Sequence, residues 1–151
     1  MLEIIPLKPE DFPQCGAIWD IEEQAALAES CLSELRSGNR RTWIGREGGA
    51  WLGEVSVEFD AGDSDYTVPG RRLYLSRLIV REDARRRGVG HALTEYAVRT
   101  ARDLGYRELS LGVNLDNYPA LRLYAEAGFD RILRVDRDQW GPYVKLLKIL
   151  V

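Results

Sequence analysis

The chain has 151 residues, enough to bury one hydrophobic core and too few for two independent ones, so one domain spanning residues 1–151 is expected. Hydrophobic residues make up 45% and charged residues 30%, the balance of an ordinary globular protein, and no apolar stretch approaches the roughly 20 residues that span a bilayer. The net charge of −3 lacks the basic excess with which proteins neutralise phosphates, so neither nucleic acid nor membrane is expected as a partner.

The beginning, Met1-Leu2-Glu3-Ile4-Ile5-Pro6, lacks the basic start and long apolar run of a signal peptide. Cys15 and Cys31 suit neither a zinc site nor a disulfide framework. They are expected as buried thiols in a reducing cytoplasm. Apolar alternation over residues 2–7 predicts a first strand. Phe12, Cys15, Ile18 and Trp19 recur at helical spacing, and a second helix is predicted over 22–36, with Leu27, Cys31 and Leu35 on one stripe. Ser37-Gly38-Asn39 stops it. Two strands over 42–46 and 50–59 are joined across Glu47-Gly48-Gly49, a hairpin by its turn chemistry.

Residues 60–70, rich in Gly, Asp and Pro, read as a loop. Residues 73–80 are apolar on both alternating faces apart from Ser76 and Arg77, as in a strand buried within a sheet. A helix over 90–104 carries Leu93, Ala97, Ala101 and Leu104 on one stripe and ends at Gly105. Leu109, Leu111 and Val113 alternate as another strand. Asn117 is placed to cap a short helix whose Ala120, Leu123, Tyr124 and Ala127 face inward, with Gly128 as its stop. Strands over 131–135 and 143–149 close the chain. The order β-α-α-β-β-β-α-β-α-β-β predicts an α/β (α+β) fold with a mixed central sheet and helices on both faces.

The most informative segment runs from the buried strand through Arg85-Arg86-Arg87-Gly88-Val89-Gly90-His91 into an amphipathic helix. Amides at a helix start, at the positive end of its dipole, bind phosphate, and Gly88 and Gly90 allow close backbone approach. A dinucleotide fingerprint would need a third glycine at position 93, which is Leu, and no Gly-Lys-Ser/Thr follows. The remaining pattern, Arg85-x-x-Gly88-x-Gly90, resembles the pyrophosphate loop of the GNAT superfamily of N-acetyltransferases. Downstream, Asn117-Tyr118-Pro119-Ala120-Leu121-Arg122-Leu123-Tyr124-Ala125-Glu126-Ala127-Gly128-Phe129 is similar to that superfamily's Asn-x-x-Ala-x-x-Leu-Tyr-x-x-x-Gly-Phe.

The resemblance implies a transfer of acetyl from acetyl-coenzyme A to an amine, with acetyl-CoA as cosubstrate and no metal. It implies that the backbone of Leu78, Ile79 and Val80 pairs with the pantetheine arm like an added strand. Amides and side chains from Arg85, Arg86, Arg87, Gly88, Val89, Gly90 and His91 would hold the pyrophosphate, and Asn117 would bond near the thioester end. Tyr124 would protonate the leaving thiolate: a tyrosine of pKa near 10 stays protonated at neutral pH and donates as a thiolate of pKa about 8.5 develops.

The general base is left open. The resemblance puts a glutamate in some members five residues ahead of the motif's asparagine, where this chain has Gly112, and in others an acid on the strand before the loop, where it has Tyr74, Ser76 and Arg77. Glu54 and Glu58 are candidates, although a strand glutamate is more often solvent-facing; an ordered water relay is the alternative. The acceptor wall implied by the resemblance includes Asp20, Glu22, Glu23 and Glu29 with Asp60, Asp63 and Asp65, an acidic bias that suits a small-molecule or peptide amine. Trp19, Trp43, Trp51 and Tyr66 could add aromatic walls, although most of them are expected in the core. The resemblance implies that the last strand pair, with Trp140 at its turn, completes either the acceptor pocket or a dimer contact, so a homodimer is a possible association. A non-catalytic coenzyme-binding module with the same fold is the rival reading.

Overall fold

The computed structural model describes residues 1–151. Seven strands form one sheet in the order β1-β2-β3-β4-β5-β7-β6. They are β1 (Glu3–Pro6), β2 (Arg40–Glu47), β3 (Ala50–Glu58), β4 (Arg72–Val80), β5 (Glu108–Asn114), β6 (Arg131–Asp138) and β7 (Gly141–Ile149), with helices α1 (Ala25–Ser37), α2 (Val89–Asp103) and α3 (Tyr118–Glu126). The sheet is mixed: β4 and β5 run parallel, whereas β1/β2, β5/β7 and β6/β7 are antiparallel. No helix is long and apolar enough to cross a membrane. Contacts divide the chain into two compact units, Met1–Val57 with Arg77–Thr94 and Glu58–Ser76 with Glu95–Val151, so that the division falls inside β4 and α2.

The first unit's core gathers Leu7, Phe12, Cys15, Ile18, Trp19, Ala28, Cys31, Ile44 and Trp51. Phe12, Cys15 and Ile18 recur at intervals of three. Their segment, expected as an ordinary helix, is a 3-10 helix over Pro9–Ala17. Pro13 within it has no N–H to offer an α ladder, and three residues per turn stack the buried side chains on one edge. In α1 two of the three residues of the expected stripe face the core, Cys31 inside and Leu35 packed against it, but Leu27 is exposed and Ala28 and Leu32 take part in its place. The helix begins at Ala25, after a turn whose Glu23 amide is held by the Asp20 carboxylate at 2.9 Å.

In the second unit, the parallel β4/β5 ladder covers Arg72–Tyr74 against Glu108–Ser110. Glu108 is buried, and Arg71 and Arg72 each donate to it at 3.2 Å, which supplies the counter-charge a buried carboxylate requires. β7 pairs with β5 from Glu108↔Ile149 to Asn114↔Tyr143. β6 extends to Asp138, three residues beyond the expected end, because it pairs with β7 down to a tight turn, with an irregularity between Ile132 and Arg134. On α2, Leu93, Ala97 and Ala101 are fully buried as expected, but Leu104 lies past the helix end and is exposed. α3 has the cap that the sequence predicts: Asn117 Oδ1 accepts the Ala120 amide at 3.3 Å.

The loop after β3 is tied to β7 and β6 by charge. Lys145 Nζ, on β7, donates to Asp63 at 2.9 Å and to Asp65 at 3.0 Å, and Arg134 donates to Asp65 at 3.0 Å. Burial works against the Lys145 ammonium, but the two aspartates outweigh it and hold its pKa above the ordinary value. The Asp65 amide and Lys145 hold the Asp63 carboxyl below its ordinary value, and Lys145 and Arg134 do the same for Asp65. Depressed carboxylates contribute stability that is present at neutral pH and lost as pH falls through their lowered values. Replacing Lys145 with methionine should therefore lower the urea midpoint at pH 7 and flatten its decline between about pH 5 and about pH 2. Parallel declines in variant and wild type would show that the pairs contribute nothing to acid stability.

Candidate functional site

The segment after β4 folds as a short 3-10 turn, Glu82–Ala84, and then reverses into α2. It is anchored at its start by the Arg81 amide, which donates to the Leu52 carbonyl at 2.8 Å, and by the Arg81 guanidinium, which grips Asp83 at 2.7 Å. The reversal uses two left-handed residues, Arg86 (φ 65) and Gly88 (φ 81). Gly90 instead lies within α2 with ordinary helical backbone. A non-glycine residue at positive φ is costly and persists where surrounding structure demands it. The alternation turns successive amides toward one side, and the first i→i−4 bond of α2 is from Ala92 to the Gly88 carbonyl at 3.0 Å, so the Val89 and Gly90 amides precede the ladder. Arg85, Arg86, Arg87 and His91 are exposed. Arg85 donates to the Val80 carbonyl at 3.2 Å and Arg87 to Glu47 at 3.2 Å. Leu78, Ile79 and Val80 are half-buried, more open than the expected interior strand. This loop has what a bound diphosphate requires: backbone donors, positive dipole and positive side chains together.

On β3 of the same unit, Glu54 is 3% exposed, not solvent-facing as a strand glutamate commonly is. Its Oε1 accepts the Trp19 indole N–H at 2.6 Å, and its Oε2 lies 3.6 Å from Arg77 Nε. The Arg77 guanidinium stacks over the Trp19 ring at 4.3 Å, and its buried Nε has no hydrogen-bond partner. Burial raises the Glu54 carboxyl above its ordinary value, against the opposing effects of Arg77, Trp19, Arg40 and Cys15. Burial together with Glu54 pushes the Cys15 thiol up to about 12. Trp19 also lines a surface cavity of about 520 Å³ with Gly16, Asp20, Ile21 and Glu22. Glu58, four residues along β3, is half-buried.

In the second unit, Tyr124 is buried on α3 and meets Phe129 edge-on, with ring centroids 5.8 Å apart. Burial pushes its hydroxyl up to about 12, so it holds its proton throughout the neutral range. Asn117 is exposed, with Oδ1 committed to the cap. Gly112, the position at which the resemblance puts a glutamate in some members, is glycine for a steric reason. A side chain there would run into the Tyr66 hydroxyl. Tyr66 is fixed by stacking on Tyr74 at 4.2 Å, by the Lys145 ammonium 4.8 Å from its ring centre, and by Ser110, which donates to its carbonyl at 2.6 Å. Burial raises the Tyr66 hydroxyl to about 12.

One expectation for the acceptor wall needs revision. Asp63 and Asp65 are neutralised by Lys145 and Arg134, so the acidic bias they suggest is spent within the protein. Trp43 and Trp51 are both 7% exposed and belong to the interior. Local sequence gave no sign of the Trp19–Glu54–Arg77 cluster, whose members stand on three separate segments.

A family model described as the acetyltransferase (GNAT) family matches residues 2–129. N-acetyltransferase 8 of Mus musculus is 31% identical over 109 residues, 72% of this chain and 45% of that protein. The chain thus spans less than half the length of the curated relatives it matches, 45%, 46% and 36% for the first three. Among solved structures, the ribosomal-protein-S18-alanine N-acetyltransferase of Escherichia coli aligns with a TM-score of 0.76 at 19% identity, covering 99% of this chain and 94% of that one. A GNAT family acetyltransferase from Elizabethkingia anophelis with acetyl-CoA bound aligns at 0.74 and 16% identity, covering 99% and 98%. At such identities the likeness is one of fold.

The Gly112 contact is testable by a double-mutant comparison. Gly112→Ala should cost on the order of 1–3 kcal/mol by overpacking, read from chemical unfolding. In a Tyr66→Phe background, without the hydroxyl, the same substitution should cost clearly less. An equal cost in both backgrounds would mean that the hydroxyl is not what excludes a side chain.

Proposed function

Because the chain belongs to the GNAT family of acetyltransferases, we propose that residues 1–151 form an acetyl-coenzyme-A-dependent N-acetyltransferase domain that moves acetyl directly onto an amine. The observation that carries this reading is the loop from Arg85 to His91, with its left-handed Arg86 and Gly88 at the start of α2. The amides of this loop hold the cosubstrate's diphosphate, and its exposed arginines add positive potential. The backbone of Leu78, Ile79 and Val80 pairs with the pantetheine arm, in keeping with the openness of that end of β4. Asn117 bonds near the thioester through its amide nitrogen, which leaves Oδ1 to the cap.

Tyr124 donates its proton to the leaving thiolate. Its burial supports the role, since a hydroxyl held protonated at neutral pH has its proton ready as the C–S bond breaks. The acceptor is a small-molecule or peptide amine. Asp20 and Glu22, on the rim of the cavity lined by Trp19, attract it as a cation. Cys15 and Cys31 remain unpaired and buried, which suits a reducing cytoplasm.

Acetyl-coenzyme-A thiol release against an amino sugar, a polyamine and a peptide amino terminus tests the reading. Release is expected with at least one of them, whereas coenzyme binding without release from any would favour the non-catalytic module. Gly88→Val forces a branched side chain into a left-handed position and should weaken coenzyme binding by calorimetry; unchanged affinity would remove the loop from the site. Tyr124→Phe keeps the ring and should lower kcat by about 10²–10⁴-fold with coenzyme affinity intact, where a purely packed tyrosine would give near-normal turnover.

A homodimer formed through β6 and its turn belongs to the same reading. Ile132, Val135 and Trp140 are 68%, 58% and 70% exposed there, unusual for large apolar side chains on one hairpin. Sedimentation should show a concentration-dependent dimer that Val135→Lys abolishes; a monomer at all concentrations would discard it.

A further inference from the structure

We infer that Glu54 is the base that takes a proton from the acceptor ammonium, held for that role by Trp19 and Arg77. This rests on the acetyl-transfer reading and names the group that reading leaves open. The placement follows from the order of residues along β4. The diphosphate end of the cosubstrate belongs to the loop after Val80, and the pantetheine arm runs back along Val80, Ile79 and Leu78. The thioester end therefore lies toward Arg77, and Arg77 Nε is 3.6 Å from the Glu54 carboxylate.

A purely structural role explains this cluster poorly. A buried ion pair offsets its desolvation only when its geometry is closed and its hydrogen bonds complete. Here the pair stands beyond hydrogen-bond range, and Arg77 Nε is buried with no partner. A carboxylate packed against apolar core, gripped at one oxygen and loosely faced at the other, has an affinity for a proton that a solvent-facing glutamate lacks. The groups that face it are Trp19 and Cys15 from the 3-10 segment and its exit, Arg40 on β2 and Arg77 on β4. Trp19, whose indole N–H meets the carboxylate, is also one of the residues lining the cavity beside Asp20 and Glu22.

In the step, the Glu54 carboxylate accepts one proton from the ammonium and the freed lone pair attacks the thioester carbonyl. A C–N bond forms, the C–S bond breaks, and the thiolate takes the proton offered by Tyr124. The second nitrogen proton returns through solvent to Tyr124, and Glu54 releases its own to solvent. The net reaction is ammonium plus thioester giving amide, thiol and one proton.

The test uses the full chain with acetyl-coenzyme A and the three amines named above. Glu54→Gln, which keeps an oxygen for the Trp19 indole, should lower kcat by about 100-fold or more while calorimetric coenzyme affinity holds. Wild-type kcat/KM should fall as pH drops through the raised Glu54 value. Trp19→Phe and Arg77→Met each remove a group that favours the charged form, so each should move that limb to higher pH. Turnover of Glu54→Gln within about threefold of wild type, or a limb unmoved in both other variants, would overturn the assignment. If Glu54→Gln fails to fold by circular dichroism, the movement of the limb decides alone. Wild-type thiol release with an undiminished Glu54→Gln rate rejects only the base; no release from wild type with any amine rejects the transfer reading as well.

Discussion

A carboxylate cannot leave water without donors to replace it, and the 2.6 Å bond from Trp19 to Glu54 is where the first unit meets that demand. The bond spans 35 residues of sequence and ties the exit of the 3-10 segment to the middle of β3. Several neighbouring features follow from it. Trp19 must lie with its N–H toward the sheet, which leaves a ring face for the Arg77 guanidinium and an edge for Phe12, whose ring meets it at 84°. Cys15 is drawn into the same pocket, fully buried. Were position 54 apolar, Trp19 would lose its partner and Arg77 the charge it faces.

In the second unit the buried charge is the Lys145 ammonium, and the part-exposed Asp63 and Asp65 answer it. Lys145 and Arg134 draw the Asp60–Gly70 stretch onto β7 and β6, and the stretch brings Tyr66 with it. The ring then fills the space over Gly112, so the absence of a side chain on β5 and the presence of the loop are one arrangement seen from two positions. A glutamate could not be restored at position 112 without first moving Tyr66.

What the sequence discloses and what it conceals divide along contact range. Order and type of elements are carried by local periodicity, and every strand was expected within a few residues of its place. The misplaced features each have a local competitor. Pro13 removes an α ladder where apolar spacing suggested one, and β7 lengthens β6 where residues 136–138 alone are too charged to suggest a strand. The Arg85–His91 turn into α2 and the capped α3 segment were legible as local structure because each is contiguous. Which glycine of the loop turns left-handed was not, since Arg86 takes one of the two positions despite its side chain. Glu54 was legible as a candidate base expected to face solvent, whereas its buried surroundings are set by Trp19, Arg40 and Arg77, none nearer than 14 residues in sequence.

The two cysteines carry a consequence for chemistry at sulfur. A thiol reacts as thiolate, and Cys15, fully buried and with its pKa near 12, has almost none of that form at any pH where the fold is at rest. Cys31 is 4% exposed and burial raises it too. Both sulfurs are therefore poor nucleophiles toward a disulfide reagent while the fold holds. Alkylation of Cys15, when it does occur, then measures how often the core around Trp19 opens to admit a small electrophile.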